Sequence, residues 1–282
     1  MLMAVLVRYD EIAIKGKNRA RFENVLVRNI EANLQTNNVK FSKVKRAYGR
    51  ILVNTDENCS SLKAVFGISS FSHAVNSGKT VEDAFESAKK LFSLSEKDSF
   101  KIVCQRSDKA FPLSSREICV KLGDMLRIAT NAKVKMENPV FEICLEVING
   151  AIYVLTDRIE GPGGMPVSSQ GIAVALIEDD DSVTAALMAM RRGCKVIPAV
   201  VKNADWSFMQ KFSSEKIVPW KIKSVNEIEG ICKKHKSKAV VINDSFAKTR
   251  EIAFDGVVLR PLCGMDAGDI KNERKKLESL AG

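Results

Sequence analysis

The chain has 282 residues, is 45% hydrophobic and 28% charged, and carries a formal net charge of +10. This is the composition of a soluble globular protein, long enough for two or three domains with separate cores. It excludes a helical membrane span, because no apolar run approaches the roughly 18 residues one requires. The short apolar start, residues 1–7, runs at once into Arg8, Asp10 and Glu11. It reads as a first strand rather than a secretory leader, and the expected location is the cytoplasm.

In chain order, residues 3–8 alternate as a strand and Asn18 opens a helix carrying Phe22, Val25, Leu26, Ile30 and Leu34 at i, i+3, i+4 spacing. Strands are expected at 39–44 and 51–53, joined through Tyr48-Gly49-Arg50. The result is β-α-β-β, most of a small ferredoxin-like unit. A second unit follows. A strand over 70–75 precedes an amphipathic helix with Val81, Ala84, Phe85, Ala88, Leu91 and Phe92, and a strand over 100–105 comes next. Ser114 or Ser115 caps a helix bearing Ile118, Leu122, Met125 and Leu126. Strands 141–148 and 151–155 flank Asn149-Gly150, the strongest short hairpin signal there is.

Residues 160–171 hold four glycines and two prolines without apolar periodicity, so they read as an interdomain linker or a functional loop. Beyond them strands at 172–177, 196–201, 239–242 and 256–259 alternate with helices at 182–192 and 225–235. Short apolar strands separated by helices indicate a parallel sheet covered on both faces.

Seven scattered cysteines, with no C-x-x-C pair, disfavour a zinc site or a disulfide framework. Cys104 and Cys144 are expected to be buried as small hydrophobes. His73 and His235 stand outside any Ser/His/Asp or Cys/His pattern, and His235 reads as a solvated end of a helix. The charge is unevenly placed: residues 15–50 hold ten Lys and Arg against two Asp and Glu. Such density suits phosphate backbones or anionic membranes, and it equally suits a solvated helix and strand.

Four segments together resemble the tRNA 4-thiouridine synthetase family, which joins a ferredoxin-like domain, a THUMP domain and a PP-loop ATP-pyrophosphatase domain. They are Arg8-Tyr9-Asp10-Glu11-Ile12-Ala13-Ile14-Lys15-Gly16-Lys17-Asn18-Arg19, Arg106-Ser107-Asp108-Lys109-Ala110-Phe111-Pro112, Gly161-Pro162-Gly163-Gly164-Met165-Pro166-Val167 and Leu259-Arg260-Pro261-Leu262-Cys263-Gly264-Met265-Asp266. In order, they cover nearly the whole chain. The resemblance implies a ferredoxin-like domain over 1–60, a THUMP domain over 61–168 and a PP-loop-like, Rossmann-like parallel-sheet domain over 169–282. It also implies that the protein grips the acceptor end of a tRNA. Lys15, Lys17 and Arg19 lie around one helix N-terminus, and Arg106, Lys109 and Arg116 border another, where free N–H groups already favour an anion. These six are the expected RNA contacts. Phe111 has two readings, as a loop-packing residue or as a base-facing one.

The family's catalytic domain opens with a strand, S-G-G-x-D-S and a helix, the glycines letting backbone amides close on the pyrophosphate of ATP. Aligned on the helix and on Arg191-Arg192-Gly193, this chain has Ile177-Glu178-Asp179-Asp180-Asp181-Ser182 there. Asp181 and Ser182 match; both glycines have become carboxylates. Two like charges about 5 Å apart repel by roughly 3 kcal/mol at an effective dielectric near 20, which opposes phosphate binding. The acids read as caps on the helix N-terminus, as a divalent-cation site of Asp179, Asp180 and Asp181, or as a rearranged loop for ATP with Mg²⁺. No resident metal is expected.

A nucleotide-holding G-E-S-L-type segment of the family falls on Asn243-Asp244-Ser245-Phe246, where only Ser245 matches. Cys263 falls at a variable position of its motif, and the expectation is a protein without the family's sulfur-accepting cysteine or a rhodanese-like extension. The expectation is therefore a tRNA-binding protein of this class without full activity and with no cofactor. ATP and Mg²⁺ enter only if the family activity survives in Asp181, Ser182 and Ser245. A separate sulfur donor or modifying enzyme and a homodimer are expected as partners, with no membrane. The alternatives are an active sulfurtransferase with an external sulfur donor, and a basic scaffold or membrane-surface protein.

Overall fold

The structure, a computed structural model, describes residues 2–245, 249–252 and 254–281. Its backbone gathers into two compact units, each drawn from separated stretches of the chain.

The first unit comprises Met1–Arg8, Lys40–Asn58 and Ser70–Ile159. Its strands are β1 (Leu2–Arg8), β2 (Lys43–Ala47), β3 (Arg50–Asn54), β4 (Ser70–Gly78), β5 (Ser99–Arg106), β6 (Lys133–Val134), β7 (Phe141–Ile148) and β8 (Ala151–Leu155). They form one sheet in the order β2-β3-β1-β4-β8-β7-β5-β6. Helices α2 (Val81–Leu91) and α3 (Ser115–Thr130) start at capping boxes, Thr80 with Asp83 and Ser114 with Glu117. Their buried faces, with Val81, Ala84, Ala88, Ile118, Leu122 and Leu126, pack on Phe100, Ile143, Leu145 and Val154. Each fully buried Leu or Ile contributes about 1.5–3 kcal/mol, more than a cap at about 1 kcal/mol, so caps place these helix ends while packing holds them. Asn149 and Gly150 both take positive φ, 50° and 74°, and close the β7–β8 hairpin as the sequence predicts.

The strand expected over 39–44 lies instead at 43–47. Asn38 turns left-handed at φ 56° and the Val39 N–H bonds to Leu34 O, so residues 38–39 finish a helix. The Ala47↔Arg50 pairing across Tyr48-Gly49 then sets the register.

On the opposite side of this sheet, Glu146 is only 3% exposed and lies between two arginines. Arg8 Nε donates to Glu146 Oε1 at 2.7 Å, Arg50 Nε to Oε2 at 2.7 Å, and Arg8 Nη1 to Ser72 Oγ at 2.9 Å. Burial pulls the Arg8 pKa below its ordinary value, with Glu146 opposing. Cys144 lies on this side and is half-buried, as is Cys104, whereas both were expected inside; Cys59 and Cys232 are the buried cysteines among the described residues. Burial pushes the Cys104 thiol up to about 12, so it is no nucleophile near neutral pH.

The second unit comprises Tyr9–Val39, Cys59–Ser69 and Glu160–Gly282. It contains α1 (Arg19–Thr36), α4 (Asp180–Arg191), α5 (Ile228–His235) and α6 (Ala267–Ala281). The two-residue strand β9 (Ile159–Glu160) leads into it, followed by β10 (Ile172–Ile177), β11 (Lys195–Val201), β12 (Trp220–Ile222), β13 (Ala239–Val241) and β14 (Val257–Leu259). All pairings in the sheet β12-β11-β10-β13-β14 are parallel. Ala173, Ala175 and Ile177 face α4 and α6, while Val174 and Leu176 face α5, so both faces are covered as expected.

The edge strand β12 has no counterpart in the sequence reading. It is three residues long with Lys221 exposed, too short for periodicity to show. His235, read as solvated, is half-buried and meets Trp220 edge-on, ring centroids 5.7 Å apart. The glycine-rich stretch 160–171 is packed rather than free. Gly164 has φ +76°, and a Cβ there would lie 2.3 Å from Arg191 O, so only glycine fits. The next residue, Met165, is buried and its N–H bonds to Arg191 O at 2.8 Å.

Candidate functional site

In the second unit the chain order reverses at β10. β11 and β12 are added on one side of it, β13 and β14 on the other. In open α/β sheets the crevice beyond the carboxyl ends of two such diverging strands is where ligands bind. A cavity of about 1290 Å³ lies there, lined by the residues after β10 (Glu178, Asp179, Asp181), those after β13 (Asn243, Asp244, Ser245), Arg250, the 263–267 turn and one face of α6.

The β10–α4 turn is closed on itself. Helix α4 starts two residues earlier than the periodicity suggests, because Asp179 is its N-cap. The Asp179 carboxylate accepts the Ser182 N–H at 2.8 Å, and Ser182 Oγ accepts the N–H groups of Glu178 at 2.9 Å and Asp179 at 3.0 Å. Three amides of the turn, those of Glu178, Asp179 and Ser182, are thus taken by the chain's own oxygens. Burial, then Asp179 and Asp180, raise the Asp181 pKa above the usual carboxylate range. Of the three readings of the acidic run, the capping one describes this geometry; no cluster of three metal-binding side chains occurs among the described residues.

A network that sequence reasoning missed ties the turn to the opposite strand. Arg250 Nη1 bonds to Glu178 Oε2 at 2.6 Å, its Nε to Asp244 Oδ1 at 2.9 Å and its Nη2 to Asn243 Oδ1 at 2.6 Å. Arg260 Nε reaches Asp244 Oδ2 at 3.1 Å, and Asn243 Nδ2 donates to both oxygens of Asp179 at 2.9 and 3.0 Å. Burial pushes the Asp244 carboxyl up, but the Arg250 N–H and both guanidinium groups outweigh it and hold it below the usual range. Arg260 stood inside the L-R-P-L motif without a role, and Arg250 lay in no motif, so no local signal marked this pair. Ser245 lines the cavity; Phe246, the last residue of its segment, lies outside the described residues.

The expected RNA contacts divide between the units. In the second, Lys17 is exposed, Lys15 is half-buried with Nζ 5.5 Å from the Phe22 ring centroid, and Arg19 is spent internally. Arg19 Nε bonds to Glu23 at 2.9 Å and Nη2 to Tyr9 Oη at 2.7 Å, while Tyr9 donates to Glu23. Burial and Glu23 raise the Tyr9 pKa to about 12. Asn18 takes the N-cap position of α1 without a side-chain bond. In the first unit, Arg106 Nη1 bonds to Phe111 O at 3.0 Å and Leu113 O at 2.7 Å, stapling the loop before α3. Phe111 is buried beneath it, the packing alternative. Lys109 and Arg116 are left exposed on that loop and on the first turn of α3.

The ThiI ferredoxin-like domain family matches residues 4–72, and the THUMP domain family matches residues 78–157. A probable tRNA sulfurtransferase of Thermococcus kodakarensis is 29% identical over 98% of this chain and 88% of its own length. The chain belongs to the tRNA sulfurtransferase family. Further members of that name, one from Mycoplasmopsis synoviae, are 35–36% identical, and the chain spans only about half (51%) of their length. Among solved structures, PH1313 from Pyrococcus horikoshii Ot3 superimposes with a TM-score of 0.86 at 27% identity, covering 98% of this chain and 100% of that one. A 4-thiouridine synthetase–RNA complex with bound ATP gives 0.73 at 25% identity, covering 100% of this chain and 86% of that one. The tRNA sulfurtransferase fold thus extends over the parallel-sheet unit, beyond the residues that the two domain families match. Among the described residues no helix is long and apolar enough to cross a membrane.

Proposed function

We propose that this family member binds tRNA through its THUMP region and does not activate substrate with ATP held on the β10–α4 turn. The division into 1–60, 61–168 and 169–282 is part of this reading. RNA binding is supported by the THUMP match, by the relative solved with RNA, and by the exposed Lys109 and Arg116 beside a stapled loop. One observation carries the second half: Ser182 Oγ and the Asp179 carboxylate already take three amides of the turn, those of Glu178, Asp179 and Ser182. ATP placed there has to displace an internal cap and approach Glu178 and Asp179. The turn does not fit the nucleotide as the family's S-G-G-x-D-S does, and no chemical step is derived through it.

Fluorescence titration with deacylated tRNA, random duplex RNA and anionic vesicles tests the first half. Tighter binding of tRNA than of either competitor is expected. Lys109→Ala weakens it and lowers the salt slope by about one unit. Arg106→Ala acts chiefly by loosening the loop, so its thermal stability falls as well. Equal binding of all three ligands overturns the tRNA assignment. Release of pyrophosphate from ATP and Mg²⁺, stimulated by tRNA, overturns the second half and restores a sulfurtransferase with an external sulfur donor.

A further inference from the structure

The edge strand β12 is shorter than the strand it pairs with and meets β11 only at residues 199–201. The amino half of β11, residues 195–198, therefore has no strand beside it on that edge among the described residues. The chain before β12 bridges the gap. A cavity of about 350 Å³ remains there, within the roughly 300–1,000 Å³ of small-molecule sites. Because the sheet is parallel, this cavity lies at the amino ends of its strands, the opposite end from Asp244 and the β10–α4 turn. Gln210 fixes the bridging chain: its side chain bonds to Ser213 O at 3.1 Å, to Glu215 O at 3.0 Å and to the Ile217 N–H at 2.8 Å.

The lining is apolar and basic. Ile197, Pro198, Ile217 and Trp220 line the cavity, as do the exposed Lys195 and Lys216. Glu215 lines it too, but is bonded to Lys195 Nζ at 2.6 Å, whereas Lys216 has no acidic partner among the described residues. Trp220 is held from two directions: Lys234 Nζ lies 4.3 Å from its ring centroid, and His235 meets it edge-on. Ser237 Oγ bonds to Ile172 O at 2.8 Å, which brings the exposed Lys236 and Lys238 to the same end of the sheet. An added peptide strand is disfavoured on this open edge, because Pro198 has no N–H to give to a ladder.

We infer that this cavity takes an unpaired nucleotide of a single-stranded RNA segment, its base against Trp220 and its flanking phosphates on Lys216 and Lys234. An aromatic surface for the base beside cations for the backbone is how single strands are held without regard to sequence. A duplex has its bases stacked and paired already, so it offers none to the cavity. For the class of its ligand this rests on the RNA-binding reading above, and it adds a contact in the parallel-sheet unit to those of Lys109 and Arg116.

Trp220 is its own reporter. The chain has two tryptophans, and Trp206 does not line the cavity, so Trp206→Phe leaves Trp220 as the only one. A short single-stranded RNA is expected to quench its fluorescence, while a duplex of the same sequence and polyglutamate do not. In the otherwise unaltered full chain, Trp220→Ala is expected to weaken that RNA about tenfold, the loss of one stacked base, and Trp220→Phe to restore most of it. Lys216→Ala with Lys234→Ala, both at exposed positions, is expected to lower the salt slope by about 1.4 units, the loss of two phosphate contacts on a single strand. Lys109→Ala leaves the quenching unchanged. A double-lysine variant that melts normally and binds the single strand like the parent overturns the inference, as does equal quenching by duplex or polyglutamate. Binding of tRNA that depends on Lys109, with no quenching by the single strand, overturns it and leaves the tRNA assignment standing. Failure of the parent to bind any RNA overturns both.

Discussion

Each unit of this molecule sets one carboxylate between two arginines, with different surroundings. Glu146, 3% exposed, is gripped by Arg8 on β1 and Arg50 on β3, whose side chains are 7% and 12% exposed. All three sit on strands of one sheet, so neither partner can leave without breaking backbone pairing. Asp244, 1% exposed, is gripped by Arg250 and Arg260, but these are 30% and 27% exposed and come from irregular chain around β14. Arg250 also extends the network to Glu178. The same ionic motif acts as an internal brace where strands hold it and as a cavity wall where loops do. Desolvation decides the difference: a buried charge must stay paired, whereas a half-exposed arginine has water as an alternative partner.

This contrast is sharpest at Glu146. Glu146→Ala leaves two buried guanidinium groups uncompensated and is expected to cost about 3–5 kcal/mol, read from urea unfolding. Replacing Arg8, Glu146 and Arg50 together by apolar residues of similar volume is expected to recover most of that loss. A single variant costing under about 1 kcal/mol would show that the brace is not what its burial implies.

Asp244→Asn is expected to cost less, about 1–3 kcal/mol at neutral pH, because its arginines can turn to solvent. The pH dependence has a definite sign. The folded carboxyl lies below the usual range, so its contribution is present above the unfolded pKa of about 3.9 and is lost as pH falls through the lower folded value. The stability gap between parent and variant should therefore be constant near neutrality and narrow below about pH 4. A gap that persists at low pH would assign the effect to shape rather than charge.

The smallest effect is expected at the turn. Asp179→Ala removes the α4 cap and its bonds from Asn243, costing about 1 kcal/mol in thermal melts, with tRNA affinity unchanged. A loss above about 3 kcal/mol would make this acid part of a brace like that of Glu146 and erase the contrast between the units.

Much of this was legible before any coordinates. Helix α2 showed in its i, i+3, i+4 pattern, the β7–β8 hairpin in Asn149-Gly150, and the parallel sheet in apolar runs alternating with helices. The family showed in four motifs at wide but ordered spacing. The acidic run Glu178-Asp179-Asp180-Asp181, with no glycine in it, was equally plain, since the absence of glycine is a local fact about which backbone angles are open. Arg19 and Arg106 were less legible. Charge and proximity to a helix start marked them as RNA contacts, but their guanidinium groups are directed inward by Glu23, Tyr9 and two carbonyls.

What the sequence determined by itself is whatever depends on neighbours within about one helical turn or one hairpin: element type, caps, turn residues and the acidic character of the β10–α4 turn. Pairing between distant charges was decided only by the tertiary structure. Glu146 lies 138 residues from Arg8, and Arg250 lies 72 from Glu178. No local pattern specifies such partners, because the chain between them can close in many ways until strand order and packing select one.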